Sequence, residues 1–204
     1  MLRAKTLETL QVMEERGFTT HAFPTKEAMR DFVLASIAPG KSVGFGGSVT
    51  TEELGLYEAL QAKGCLTYFH WKAERAKRAF LFEKARAADF YICSANGVSE
   101  DGALLHIDGN GNRVGALLDG PKTVFILLGE NKFSGTREEA MERVKTIACP
   151  KNAKRLGLQT PCALTGHCTD CRSPQRMCHY TLWTEGPRKG AVIHVCVAPE
   201  SLGY

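Results

Sequence analysis

No run in this 204-residue chain approaches the roughly 18 consecutive apolar residues of a membrane-spanning helix. No apolar segment follows the opening MLRAKTLETLQVMEERGF, as it would in an export signal. Neither insertion nor export is expected, and the chain is placed in the cytoplasm. Internal repeats, low-complexity tracts and convincing linkers are also missing. With 44% hydrophobic and 24% charged residues, disorder is excluded and a full core can be buried. These absences leave one domain over residues 1–204, with an N-terminal helical segment over 1–40 and a cysteine-rich insertion over 160–180.

Hydrophobic patterning supplies the fold class. Residues 2–16 read as an amphipathic helix stopped at Gly17, and a short extended piece follows near Thr19 to Phe23. PTKEAMRDFVLASIAPG spaces Met29, Phe32, Val33 and Ile37 as a helix does. KSVGFGGSVTTEELGLYEALQAKG reads as strand, glycine turn and helix, with Ser48 or Thr50 as the helix start. LTYF, DFYICSA, GALLHID, KTVFILLG and AVIHVCVA read as strands, and RAKRAFLFEKARAA and GTREEAMERVKTIA as helices. Strands alternating with helices imply an α/β layered domain with a largely parallel sheet.

In VGFGGSVT, Gly44, Gly46 and Gly47 lie between a strand and a helix start, where backbone amides and the Ser48 and Thr50 hydroxyls suit an anion. The stretch is neither G-x-G-x-x-G nor a P-loop, and a strand-to-helix turn explains its glycines equally well. Asp108, Asn110, Asn112 and Asp119 fall at positions 1, 3, 5 and 12 of a nominal calcium loop. Arg113 at position 6, aspartate at position 12 and flanks read as strands reject calcium in favour of a tight turn at DGNGN. Near the expected strand ends stand Asn96, Glu100, Asp101 and Asp119, and a carboxylate there is a candidate general base if burial raises its pKa. Turn closure is the plainer role for each of them.

The chain's eight cysteines are unevenly spread: Cys162, Cys168, Cys171 and Cys178 fall within 17 residues. In a reducing compartment such clustering points to metal ligands or redox groups before structural disulfides. A CxxC pair with flanking cysteines can hold tetrahedral zinc or a 4Fe-4S cluster, and the spacing does not choose between them. A redox pair at Cys168 and Cys171, or thiols that bind nothing, remain open. His167 and His179 stand next to the segment as substitute ligands. Cys65, Cys93, Cys149 and Cys196 read as small buried hydrophobes. Between Pro150 and Gly190 seven bases face two acids, a local +5 within a total of +4, which favours thiolates or an anionic ligand. A zinc-knuckle module for nucleic acid or protein is the competing reading. Tyr180 and Trp183 are the only aromatics there to stack on bases, which argues against nucleic acid.

Taken together, VGFGGSVT…LG, ADFYICSANGVSEDGALLHIDGNGNRVGALLDGPK, the pattern P.NA.RL…TPC..TG.C.DC.SP.R.C and the final LGY resemble the LUD domain family, also called the lactate utilization or DUF162 family, from about Lys26 to Tyr204. The resemblance implies an α/β fold shared with ribose-5-phosphate isomerase and CoA transferases (the NagB/RpiA/CoA transferase-like fold), with ligands over the carboxyl ends of the strands. That maps the site onto Gly46, Gly47, Ser48, Thr50, Asn96, Gly97, Glu100 and Asp101. It further implies a part in oxidising lactate or a related organic acid beside an iron-sulfur partner. The expectation is a metabolic protein that binds a small anionic ligand, a hydroxy or keto acid or a sugar phosphate. A 4Fe-4S cluster is expected ahead of zinc at the cysteines. Non-redox isomerisation with Glu100 or Asp101 as base is the alternative chemistry.

Overall fold

The computed structural model describes residues 1–204. Six strands form one fully parallel sheet: β1 (Thr19–Ala22), β2 (Ser42–Phe45), β3 (Leu66–Tyr68), β4 (Phe90–Cys93), β7 (Thr123–Gly129) and β9 (Val192–Ala198), in the order β1-β9-β7-β4-β2-β3. A second, antiparallel sheet joins β5 (Gly97–Val98), β6 (Leu104–Asp108) and β8 (Tyr180–Thr184) in the order β5-β6-β8. The expected α/β layering and parallel sheet are present. The antiparallel sheet is an addition that periodicity did not reveal.

Alternation along the central strands explains why both faces of the parallel sheet are covered. Val124, Ile126 and Leu128 of β7 face one core with Leu10 and Met13 of helix α1 (Ala4–Glu15), Ala85 of α5 (Arg78–Arg86) and Leu117 of α6 (Asn112–Asp119). Phe125 and Leu127 face the other, with Met29 and Val33 of α2 (Lys26–Ser36), Leu54 after α3 (Val49–Glu53), and Leu56 and Leu60 of α4 (Leu56–Ala62). Local signals begin these helices. Thr25 caps α2 by accepting from the Ala28 N–H, and Ser48 caps α3 by accepting from Thr51. The expected single helix after the glycine loop is split into α3 and α4 by Gly55, whose φ of 58° falls in the left-handed region.

Past the sheet, α7 (Arg137–Arg143) starts with a capping box between Thr136 and Glu139. It runs through a π-helical turn at Val144–Ala148 into α8 (Cys149–Arg155). Pro150 lacks the N–H that an α-helix would direct to the carbonyl of Thr146, and the widened turn relieves that conflict. Short α9 (Pro161–Thr165) packs on α8 and opens the cysteine segment, the rest of which is irregular up to β8.

The stretch after DGNGN departs from the sequence reading, being helix α6 rather than a strand. The Asp108 carboxylate accepts from the backbone N–H groups of Asn110, Gly111, Arg113 and Val114, so the turn residues are the start of a helix. Positive φ at Gly111, 74°, turns the chain into it.

The segment after β9 folds back beside β7. Leu202 is buried, and it exchanges hydrogen bonds with the Asn131 side chain, 3.1 Å to its N–H and 3.4 Å from its carbonyl. Gly129 permits this docking, because a Cβ there would stand 2.4 Å from the Glu200 carbonyl oxygen and 2.5 Å from the Leu202 nitrogen. Gly129→Ala is expected to cost about 1–3 kcal/mol through overpacking against backbone. Thermal melting would show this as a Tm lowered by roughly 2–10 °C; an unchanged Tm would mean that the docked segment does not contribute to stability.

Candidate functional site

The crossover from β2 runs outward to β3, whereas the chain leaving β4 runs the other way to β7. Crevices form where neighbouring parallel strands diverge in this manner, outside their carboxyl ends. A cleft of about 650 Å³ occupies that position. Gly47, Ser48 and Thr50 after β2, Ser94 to Asn96 after β4, Lys132 after β7, and Gly203 and Tyr204 beyond β9 line it. The cysteine segment supplies the outer wall through Gln175, Arg176, Met177 and His179, and α8 supplies Cys149, Asn152 and Arg155.

The floor is fixed by a buried guanidinium. Arg113 donates from Nη1 to the Ser94 carbonyl at 3.0 Å and from Nη2 to the Asn96 Oδ1 and the Ile107 carbonyl, both at 2.6 Å. Asn96 Oδ1 also accepts from the Ile107 N–H at 2.9 Å, and the Asn96 carbonyl accepts from Arg143 Nη1 at 2.8 Å. The ends of β4 and β6 and the helices α6 and α7 are thereby joined. Asp108 extends the joint to the cysteine segment, because its carbonyl accepts from the His179 N–H at 3.0 Å.

Five cationic side chains line the cleft, Arg78, Arg113, Lys132, Arg155 and Arg176, against two acids, Glu52 and Asp108. Neither acid is free to neutralise them. Glu52 pairs with Lys72 at 3.3 Å, and the Asp108 carboxylate is consumed by four backbone N–H groups. Arg155 lies over the Trp71 ring, 4.3 Å from its centroid, which holds that guanidinium at the wall. His70, buried beside Phe82, is held down to about 4 by burial first and by Arg78, so its imidazole is neutral at neutral pH.

Lys132 has no counterpart in the sequence reading. It is 4% exposed, and its ammonium donates to an oxygen of Tyr204, the last residue of the sequence. Burial, then Arg143 and Arg113, lowers its pKa to about 7, with Glu53 opposing and Lys151 adding to the fall.

The residues expected from sequence divide into two groups. Gly47, Ser48, Thr50 and Asn96 reach the cleft. Gly46 lies behind it, its N–H already bonded to the Ile92 carbonyl, and Gly97 is buried in β5 against Val144. A Cβ on Gly47 would come within 2.6 Å of the Trp71 indole nitrogen, so close packing accounts for this glycine.

Glu100 and Asp101 are outside the cleft and turn toward α1 and α7. Glu100 pairs with Lys5 at 2.8 Å, and Asp101 pairs with Arg16 at 3.2 Å and Arg137 at 2.7 Å. Burial alone would raise the Asp101 pKa, but hydrogen bonds from Arg137 and Ser99 outweigh it and hold the carboxyl below its ordinary value. An ionised, twice-paired carboxylate lacks the raised pKa the base role required.

All eight cysteines are free thiols, with Cys162, Cys168, Cys171 and Cys178 half-buried. Arg176 clips their loop by donating to the carbonyls of Cys171 at 2.7 Å and Cys178 at 3.0 Å and pairing with Asp170 at 3.0 Å. Cys149, read from sequence as an isolated buried hydrophobe, is buried as expected but neighbours this group. Burial, followed by the fields of Cys178, Cys168 and Cys162, pushes its thiol up to about 12. The donor chemistry therefore suits a thiolate-seeking metal. The side chains are neighbours without converging, since no three His, Cys, Asp or Glu groups meet in a set that could hold a metal ion. No helix is long and apolar enough to cross a membrane.

Comparisons with known proteins place this geometry in context. The sequence profile of the LUD domain matches residues 7–197, which extends the resemblance toward the N-terminus and stops short of the final LGY. A DUF162 family protein from Deinococcus radiodurans superimposes with a TM-score of 0.53 at 12% identity, covering 95% of this chain and 96% of that one. The eIF2B delta subunit from Chaetomium thermophilum gives a TM-score of 0.38 at 15% identity, over 54% of this chain and 48% of that one. Among curated proteins none matches.

The Lys132 environment has a thermodynamic consequence. Unfolded, this lysine binds a proton up to its ordinary pKa of 10.5; folded, it releases it near 7. Its destabilising effect is therefore complete below about pH 7 and disappears as pH rises toward 10.5. Lys132→Met is expected to be more stable than the parent protein at pH 6, with the gap narrowing at pH 9. Denaturant titrations at the two pH values check this, and a gap independent of pH would contradict it.

Proposed function

We propose, from the premise that this chain belongs to the LUD domain family, that it binds a small anionic organic ligand, a hydroxy or keto acid or a sugar phosphate, in the cleft above β2 and β4. The observation that carries this reading is the charge of the cleft: five cations line it, of which Arg176 is engaged by its own loop, against two acids that are both engaged elsewhere. Arg113 and Lys132, buried at the strand-end crevice, and the exposed Arg78 and Arg155 at its wall make a field that attracts an anion. Family membership supports a role related to lactate utilization, with lactate and pyruvate as the simplest anions of the right chemistry. Isomerisation through Glu100 or Asp101 loses its support, because both carboxylates are paired elsewhere. A nucleic-acid module is disfavoured as well, since Arg176 of the cysteine segment is engaged by its own loop.

Beside the cleft, Cys162, Cys168, Cys171 and Cys178 would hold a metal-thiolate centre, a 4Fe-4S cluster ahead of zinc. A bound cluster would supply electron transfer or Lewis acidity, and zinc a structural clasp. The residues of the chain have their own part: Arg176 holds the loop closed, and His179 ties it to Asp108 at the cleft floor. A redox-active iron-sulfur protein is the partner this arrangement would serve.

Inorganic phosphate at low ionic strength is expected to raise the Tm, by the equivalent of about 2.7 kcal/mol at a hundred times its Kd. Arg155→Met should weaken that binding by about tenfold, since one charge-assisted bond contributes roughly 1.5–3 kcal/mol. Arg30→Met on α2 should leave it unchanged. Equal effects of the two variants, or no shift with phosphate, would refute the anion reading.

Protein purified without oxygen is expected to carry about four irons and four sulfides per chain and to be brown. One zinc and no colour would make the segment a structural clasp, and no metal would remove the centre altogether.

A further inference from the structure

We propose that Asn96 is the residue that reads the ligand, its Nδ2 group donating to an oxygen of the ligand's acid group, carboxylate or phosphate. This rests on the anion-binding reading of the cleft and assigns the group that fixes where the acid sits.

The orientation of this side chain is set by partners that only donate. Asn96 Oδ1 accepts from the Ile107 backbone N–H at 2.9 Å and from Arg113 Nη2 at 2.6 Å. A flipped carboxamide would set donor against donor at both contacts, so the nitrogen occupies the opposite position. There Nδ2 meets no acceptor of the protein. It is not among the buried polar atoms left without a partner either, and it therefore opens to the cleft that Asn96 lines. Thr50, after the neighbouring strand β2, is in the same condition. It is 1% exposed and lines the cleft, and its hydroxyl is accessible but has no partner in the protein.

Uncharged donors carry the recognition because the cations of the floor and rim are already occupied. Lys132 is turned to Tyr204, and Arg176 to the carbonyls of its own loop. Arg113 is bonded to the Ser94 and Ile107 carbonyls and to Asn96 Oδ1, all of them uncharged acceptors. A charged donor on Oδ1 polarises the carboxamide and strengthens its own N–H groups as donors. The charge of Arg113 thus reaches the ligand through Asn96, which makes Arg113 a positioning residue. Water satisfies an amide donor, but an ionised oxygen forms a bond about twice as strong.

Inorganic phosphate is the probe, with pyruvate as the carboxylate arm. In the whole protein labelled with ¹⁵N, the Asn96 side-chain NH2 resonances should shift saturably, with the Kd reported by the phosphate-induced rise in Tm. A shift with phosphate alone makes the acid phosphoryl; a shift with pyruvate as well extends the site to carboxylates. Asn96→Asp keeps the oxygen that Ile107 and Arg113 bond and exchanges the donor for a second carboxylate oxygen. Its Tm should hold, because the new charge faces Arg113, while phosphate affinity should fall roughly 10- to 100-fold. Asn110→Asp puts the same charge on an exposed residue of the same cleft and should weaken phosphate by no more than about fivefold. Equal losses in the two variants would overturn the proposal. So would Asn96 side-chain resonances that stay still while phosphate raises the Tm, and the anion cleft would then stand without it. The resonance test needs no variant and decides the matter even where Asn96→Asp folds poorly. No rise in Tm together with no shift at Asn96 would remove both readings.

Discussion

The hydrogen bonds of one buried guanidinium, Arg113, hold the site together. Its three acceptors lie after β4, after β4 again at Asn96, and in β6, where they reinforce the backbone bond from the Asn96 N–H to the Leu105 carbonyl. A charge this deeply buried is tolerable only when its donors are satisfied, and each charge-assisted bond contributes about 1.5–3 kcal/mol. Asp108, five residues earlier, does the complementary work on backbone N–H groups and starts α6, which carries Arg113. The pair forms a joint from which the cleft floor, the second sheet and the exit of the cysteine segment are all positioned.

The same joint explains the electrostatics of the cleft. Asp108 is the acid best placed to neutralise the neighbouring cations, yet its oxygens are directed into the start of α6. Arg113 adds its field to that of Arg143 at Lys132, and burial makes that field effective. A positive, partly dry crevice results at the switch point of the sheet, with the thiol-bearing loop as its outer rim. Function on this account follows from where the strands diverge, and the formal net charge of +4 is a poor guide to it.

Much of the scaffold was legible. The apolar run from Val124 to Leu128 identifies a strand buried on both faces, and Ser48, one of the two expected helix starts, caps α3. The misreadings have physical causes. DGNGN supplies positive φ for a hairpin or for a helix entry, and only the long-range partners of Asp108 and Arg113 decide between them. β8 went unseen because Tyr180 and Thr181 are exposed and no residue of the strand is fully buried, so no apolar pattern marks it. Glu100 and Asp101 were assigned to the site for want of their distant partners, Lys5, Arg16 and Arg137. Lys132 carries no local signal, since a lysine after a strand ordinarily faces water. Cys149 joins the other thiols through the packing of α8 on α9, which spacing along the chain does not express.

The central claim is that the crevice above β2 and β4 is an anion site organised by Arg113. The most direct measurement is a backbone amide NMR titration with inorganic phosphate at low salt. The account predicts saturable shifts confined to Gly47, Ser48, Asn96, Arg113 and Lys132 and their immediate neighbours, with one common affinity. Shifts that do not saturate, or that fall on exposed basic residues such as Lys189 while the crevice stays silent, would contradict it.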